Sequence, residues 1–174
     1  MIRTPHRWAA VLLYVAAIYL TLPYAPRLWQ EAGARAGGSL DSLAFYPLVT
    51  AAGAVAIAAV YRSGADVPTL VGLAVLGSIY VYLYGYAFQA AAEKLHLLEY
   101  GLLSWILWWA WPPKRIHWAA ASVFLFNATV GAIDELIQSH TPGRVGEFRD
   151  VLINWESAAL GLALLLLITM PSRR

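Results

Sequence analysis

Residues 116–137 read IHWAAASVFLFNATVGAIDELI, an apolar run that ends on two adjacent acids, Asp134 and Glu135. Its length matches the roughly 20 residues a helix needs to cross the hydrocarbon of a bilayer. A spanning segment must satisfy its backbone polar groups internally, and the run shows no apolar–polar alternation of the kind a barrel strand carries, so it is predicted to be a transmembrane helix. Two carboxylates at its end are expensive to hold near lipid, which makes them the first candidates for function.

Outward from this run the same reading recurs. Apolar stretches cover about 8–23, 44–61, 67–88, 95–111, 116–137 and 151–170, the first and fourth being short. The expected fold is therefore all-α, a single polytopic membrane domain over 1–174 with about six transmembrane helices. With the N-terminus placed in the cytoplasm, the inner segments hold Arg3, Arg7, Arg62, Lys114, Arg115, Arg173 and Arg174, seven of the twelve basic residues; Arg27, Arg35, Lys94, Arg144 and Arg149 fall outside. That bias of Lys and Arg sets both termini inside. The opening stretch has the basic head and apolar middle of a signal peptide, but Pro23-Tyr24-Ala25 offers a poor cleavage site, and an uncleaved first helix is expected. Residues 25–43 form the longest outer loop, with a short surface helix expected around Arg27–Arg35 and a break at Gly37 and Gly38.

Composition agrees. The chain is 60% hydrophobic and only 13% charged, against about 25% charged in a soluble domain, and its mean hydropathy is +0.60. It has no cysteine, which excludes disulfides, thiolate metal sites and thiol nucleophiles. No basic run of nucleic-acid type occurs. Eight tryptophans and ten tyrosines suit anchoring at membrane interfaces, and WILWWAW (105–111) reads as an inner aromatic belt rather than a ligand box.

Scarce polar residues gather in two places. In EKLHLLEY (93–100), Glu93, His96 and Tyr100 share one helical face by their i, i+3, i+7 spacing, with Glu99 beside them. In DELIQSHTPGRVGEFRDVLIN (134–154), four of the ten acids of the chain are found, with Asp134 and Gln138 four apart. The helix is expected to stop at Thr141-Pro142-Gly143-Arg144, a type II turn pattern. Asp150 and Asn154 are again four apart, facing one way on the next helix, unless Asp150 serves as its N-cap. The assigned topology puts both regions at the outer surface and at one depth.

These residues resemble the VanZ-like membrane proteins of bacterial and archaeal envelopes. The family pattern places an acid and Lys before a His, then a Tyr and an apolar helix; here these are Glu93-Lys94, His96 and Tyr100. One helix further come an acid, Gln, a Pro-Gly-Arg turn, Asp and Asn, here Asp134-Glu135, Gln138, Pro142-Gly143-Arg144, Asp150 and Asn154, followed by Gly161. The motif region covers about 93–161. It departs from the family in Glu93, where Asp is common, and in Ser157, where Gly is common. The resemblance implies an integral membrane protein linked, in the namesake, to low-level resistance to teicoplanin, a lipid-tailed glycopeptide. It implies no particular reaction.

Several readings of the cluster stand side by side. Glu93, His96 and Glu99 with Asp134 or Glu135 can hold a divalent metal, although no HExxH spacing exists; the alternative is an interfacial helix start where acids suit the helix dipole. Asp134 and Glu135 can act as an acid/base pair, or pair with Arg144, Arg149 or Lys94 to fasten helices. Arg144 and the turn N–H groups suit a phosphate or carboxylate. Glu156 reads either as a buried polar partner or as a sign that the last helix starts late. His140, at a helix end, is expected to be solvated, and His6 and His117 lie at the inner face. Neither a G-x-S-x-G elbow nor a glycine-rich nucleotide loop is present.

The expectation is thus an envelope protein of a prokaryotic cytoplasmic membrane with an extracytoplasmic polar pocket. Arg144 and Lys94 would contact the phosphate or carboxylate of a membrane lipid or lipid-linked cell-wall precursor. Glu93, His96, Tyr100, Asp134, Glu135, Gln138, Asp150 and Asn154 would shape the pocket. The alternative is a membrane hydrolase or transferase for lipid phosphates, with His96 and Glu135 as acid and base and Asp134 orienting them or binding a metal.

Overall fold

A computed structural model describes residues 5–35, 58, 66–88, 90–111, 115–142 and 146–169. The described residues form helices and contain no strand. The expected second span, 44–61, lies outside them but for the helical Ala58, as do Gly37, Gly38 and Arg144.

Among the described residues six helices are found, in chain order α1 (Pro5–Thr21), α2 (Ala25–Arg35), α3 (Val67–Tyr82), α4 (Ala91–Ala110), α5 (Ile116–Ser139) and α6 (Phe148–Thr169). Pro5 opens α1, where its fixed φ suits a first helical position and its missing N–H is no loss. Pro23 lies in the turn that ends α1, closed by Tyr24 N–H donating to the Thr21 carbonyl at 2.9 Å. The short helix expected around Arg27–Arg35 is α2, with Arg35 in its last turn, where a cation suits the dipole.

Asp66 caps α3: its Oδ1 accepts from the Thr69 hydroxyl at 2.6 Å and the Thr69 backbone N–H at 3.1 Å. A π-helical turn, Leu83–Ala87, continues α3 to Phe88, whose N–H donates to the Leu83 carbonyl. Three segments among the described residues are long and apolar enough to cross a membrane: Val67–Ala87, Ile116–Ser139 and Phe148–Thr169. At 1.5 Å per residue, α5 reaches roughly 36 Å, against about 30 Å of hydrocarbon. The two stretches that looked short in sequence, now α1 and α4, are the ones that do not qualify. The first is 17 residues long, and the second has Glu93, Lys94 and Glu99 within its first half.

Two compact units divide the chain. One comprises residues 27–91 and 163–174, where Gly72 of α3 packs on Leu167; a Cβ at Gly72 would lie 2.9 Å from its methyl carbons. The other comprises residues 1–26 and 92–162 and holds the polar residues singled out above.

In this second unit α1, α4, α5 and α6 pack around Val11, Leu97, Leu103, Leu107, Val123 and Ala158. Because lipid offers no hydrophobic drive between helices, small residues and interhelical hydrogen bonds must hold such a unit. Both are present. A Cβ on Gly161 of α6 would come within 2.5 Å of the Gly101 Cα of α4, so the two backbones touch there. Ser104 Oγ donates to the Ala158 carbonyl at 2.9 Å, and Trp105 Nε1 to that of Gly161 at 3.1 Å. Asn127, fully buried in α5, donates to the Tyr100 carbonyl and to Ser104 Oγ, both at 2.8 Å. Trp155 Nε1 reaches the Ala128 carbonyl at 3.0 Å. From α1, Tyr14 and Tyr19 donate to the carbonyls of Glu99 and Val130.

One end of the unit is aromatic. Arg7 donates to the Trp109 carbonyl at 2.8 Å and lies 4.9 Å over the Trp109 ring, while Trp8 meets Trp111 and Phe126. His6 packs edge-on against Trp109 and His117 sits by Trp118, at the start of α1 and α5 and away from Asp134.

Candidate functional site

At the other end, the first turns of α4 and α6 and the last turns of α5 come together, because short connections make these neighbours antiparallel. Their sequence-predicted residues meet there. His96 is 3% exposed, Asp134 0% and Glu135 4%, so all three are withdrawn from the surface. His96 Nδ1 lies 3.8 Å from Asp134 Oδ2 and 3.7 Å from Glu99 Oε2, and its Nε2 lies 3.9 Å from Glu135 Oε1. These separations exceed hydrogen-bond length. Neither ring nitrogen has a hydrogen-bond partner.

Each carboxylate is held by one oxygen. Tyr100 donates its hydroxyl to Asp134 Oδ2 at 2.5 Å, a charge-assisted length. Glu135 Oε1 accepts from Gln138 Nε2 at 3.1 Å and Asn154 Nδ2 at 3.3 Å. The second oxygens, Asp134 Oδ1 and Glu135 Oε2, are buried without a partner. Asn154 also donates to the Gly131 carbonyl at 3.2 Å, and its Cβ lies 2.8 Å from where a Cβ on Gly131 would be. That close seat explains how a whole asparagine fits between α5 and α6.

The i, i+3, i+7 face read from sequence holds: Glu93, His96 and Tyr100 are all buried. Glu93 is nevertheless not beside His96 in role, for it pairs with Arg149. This pair ties the start of α4 to the start of α6. The side-chain exposures of its partners, 57% for Arg149 and 6% for Glu93, put the cation at the rim. Lys94 and Asp150 are half-buried. His140 is exposed at the end of α5 and its Nδ1 contacts the Leu136 carbonyl.

Two expectations need correction, and the departure at Ser157 finds its reason. Asp150 does not cap α6, because that helix begins at Phe148; Asp150 sits in its first turn, with its N–H already donating to the Glu147 carbonyl. Glu156 is exposed, so it is no buried partner, and the helix starts earlier rather than later than the apolar run. Ser157 keeps its hydroxyl bond within α6, on the Ile153 carbonyl at 2.6 Å, and the close helix approach is made one turn later at Gly161.

Two contributors had no signal at the residue level. Arg149 was one of several cations available to the acids, and only the fold selects Glu93 for it. Gly146 lies against the end of α5: a Cβ there would be 2.5 Å from the Glu135 carbonyl oxygen and 2.8 Å from the Ser139 Cβ. The chain entering α6 thus passes directly over the turn of α5 that bears Glu135.

A model of the VanZ/LLP1 family matches residues 9–169, nearly the whole chain and well beyond the 93–161 region that carries the motif. No curated protein and no solved structure matches it at significance.

Proposed function

The chain belongs to the VanZ/LLP1 family, and we propose that it is an envelope membrane protein of a prokaryote whose polar end binds the headgroup of an anionic lipid or lipid-linked cell-wall precursor. In this reading the polar end faces the outer leaflet, as the Lys/Arg bias suggests, and about six helices span the membrane. The link of the family's namesake to glycopeptide resistance fits a protein that works where such precursors are displayed.

The observation that carries the reading is the exposed Arg149, paired with Glu93, in a unit that also buries His96, Asp134 and Glu135. Arg149 and Lys94 stand in the first turns of α6 and α4, where unpaired backbone N–H groups and the helix dipole favour an anion. Arg144, which follows α5 in the sequence, would add a third cation. An arginine has five donors, so Arg149 can serve Glu93 and a phosphate together. Ionisable groups kept within a membrane bundle are costly and mark function by default. Native mass spectrometry of the full chain with phosphatidylglycerol and with a polyprenyl phosphate tests this. Binding is expected to weaken about tenfold in Arg149→Ala and Arg144→Ala, which is about 1.4 kcal/mol. Retention of phosphatidylglycerol and polyprenyl phosphate that is unchanged in both variants, or no stronger than retention of neutral phosphatidylcholine, would overturn it.

One observation favours a second reading, a hydrolase or transferase acting on lipid phosphates. His96 has Asp134 and Glu135 within 3.9 Å of its two nitrogens, a relay suited to moving a proton. Release of phosphate or headgroup by wild type, lost in His96→Ala and Glu135→Gln with the fold intact, would establish it; no release from any lipid phosphate tried would leave recognition alone.

A further inference from the structure

We propose that His96, Asp134 and Glu135 form a binding site for one divalent transition-metal ion, of the zinc or manganese class. Each of these three side chains offers a donor atom, and the three donors lie within 4.8 Å of one another. Ligands around one such ion at about 2.0–2.2 Å stand some 3–4 Å apart, so the set as it stands is somewhat wider than a closed shell.

Unfilled donors make the argument. Burial without a partner is unfavourable for any polar atom, yet four of the unpartnered atoms belong to these three residues: both His96 nitrogens, Asp134 Oδ1 and Glu135 Oε2. In each carboxylate the other oxygen is fixed by the protein, through Tyr100 for Asp134 and through Gln138 and Asn154 for Glu135. That is the division found in metal centres, where one oxygen ligates and hydrogen bonds orient the group from outside. A dication would also balance two carboxylates that share one buried imidazole. One nitrogen and carboxylate oxygens suit zinc or manganese, and three protein ligands leave coordination positions open.

An open position facing a headgroup phosphate would let an acid-lined floor receive an anion, a step that rests on the lipid reading above. Metal binding itself does not, and the two fail separately. The full chain, purified in detergent and stripped with EDTA, would be titrated with Zn²⁺ by dye competition and with Mn²⁺ by electron paramagnetic resonance. One ion per chain is expected, with affinity falling at least about 100-fold in His96→Gln, Asp134→Asn and Glu135→Gln. Tyr100→Phe and Asn154→Ala, which remove orienting bonds only, should lose about 10–100-fold. Glu31→Gln, on the exposed surface of α2, should change nothing. Folding of each variant is checked by its thermal transition without metal, and raised melting on adding Zn²⁺ should vanish in the ligand variants alone. Absence of stoichiometric binding, or binding indifferent to His96 and Glu135, overturns the site. Lipid retention in EDTA then decides whether the recognition reading survives without it.

Discussion

Helices α3 and α5 differ little in average hydropathy and greatly in what they bury. Both qualify as membrane spans, yet α3 buries no residue from Val67 to Tyr82, and α5 buries nine. The nine lie on one face: Ala119, Val123, Asn127 and Val130 lead along it to Asp134 and Gln138, with Ala128, Gly131 and Glu135 alongside. An apolar helix that buries no residue, although Gly72 packs on Leu167, is suited to lipid over much of its surface. A helix with one buried, progressively polar stripe is a wall of a protein interior. Hydropathy thus identifies the solvent, whereas the position of the few polar residues identifies the function.

The sharpest way to break this contrast is to place the same substitution in both kinds of surface. Gly161→Ala forces a methyl group into the Gly101 backbone and is expected to destabilise by about 1–3 kcal/mol, read as a lower midpoint in detergent unfolding. Asn154→Ala should follow at about 1–2 kcal/mol, since it removes bonds to Gly131 and Glu135 and leaves buried acceptors. Gly77→Ala on α3 has nothing within 4 Å of the new methyl and should be neutral or stabilise by up to about 0.8 kcal/mol through helix propensity. A loss at Gly77 comparable to that at Gly161 would mean that α3 is packed rather than lipid-facing.

The smallest expected effect lies at the cap of α3. The Thr69 hydroxyl and then the Thr69 backbone N–H hold the Asp66 carboxylate below its ordinary pKa. A depressed carboxylate stabilises the fold above its unfolded-state pKa, and the contribution is lost as pH falls through the lower folded-state value. Asp66→Ala should therefore lower the melting temperature slightly at neutral pH and not at all in strong acid. Asp66→Asn, which still caps, should lose the pH dependence but keep most of the stability.

Much of this was legible in the residues, for physical reasons that also set the limit. A membrane helix declares itself by length and hydropathy, which is why α5 and α6 begin and end within a few residues of their apolar runs. Spacing on one helix fixes angle, so Glu93, His96 and Tyr100 share a face, and short connections fix depth, so they lie level with Asp134 and Asn154. Spacing does not fix which face meets which neighbour. The Arg149–Glu93 pair, the seat of Asn154 on Gly131 and the pass of Gly146 over Glu135 depend on that docking. Glu156 shows the same limit: two residues beyond Asn154 it lies about 200° around α6, and its spacing alone does not say that this side is exposed. The π-helical turn at Leu83–Ala87 carries no compositional signature.

The central claim is that the polar stripe of α5 is kept for binding rather than for holding helices together. The most direct measurement is a variant carrying His96→Gln, Asp134→Asn and Glu135→Gln together, which leaves no buried charge without its counterpart and nearly preserves shape. Unfolding midpoint and phosphatidylglycerol retention would be measured on the same preparation. A midpoint equal to or above wild type, with lipid retention reduced about tenfold, is the expected result, since functional sites are commonly held at the expense of stability. A lowered midpoint with lipid retention unchanged would contradict the account and make the stripe a packing device.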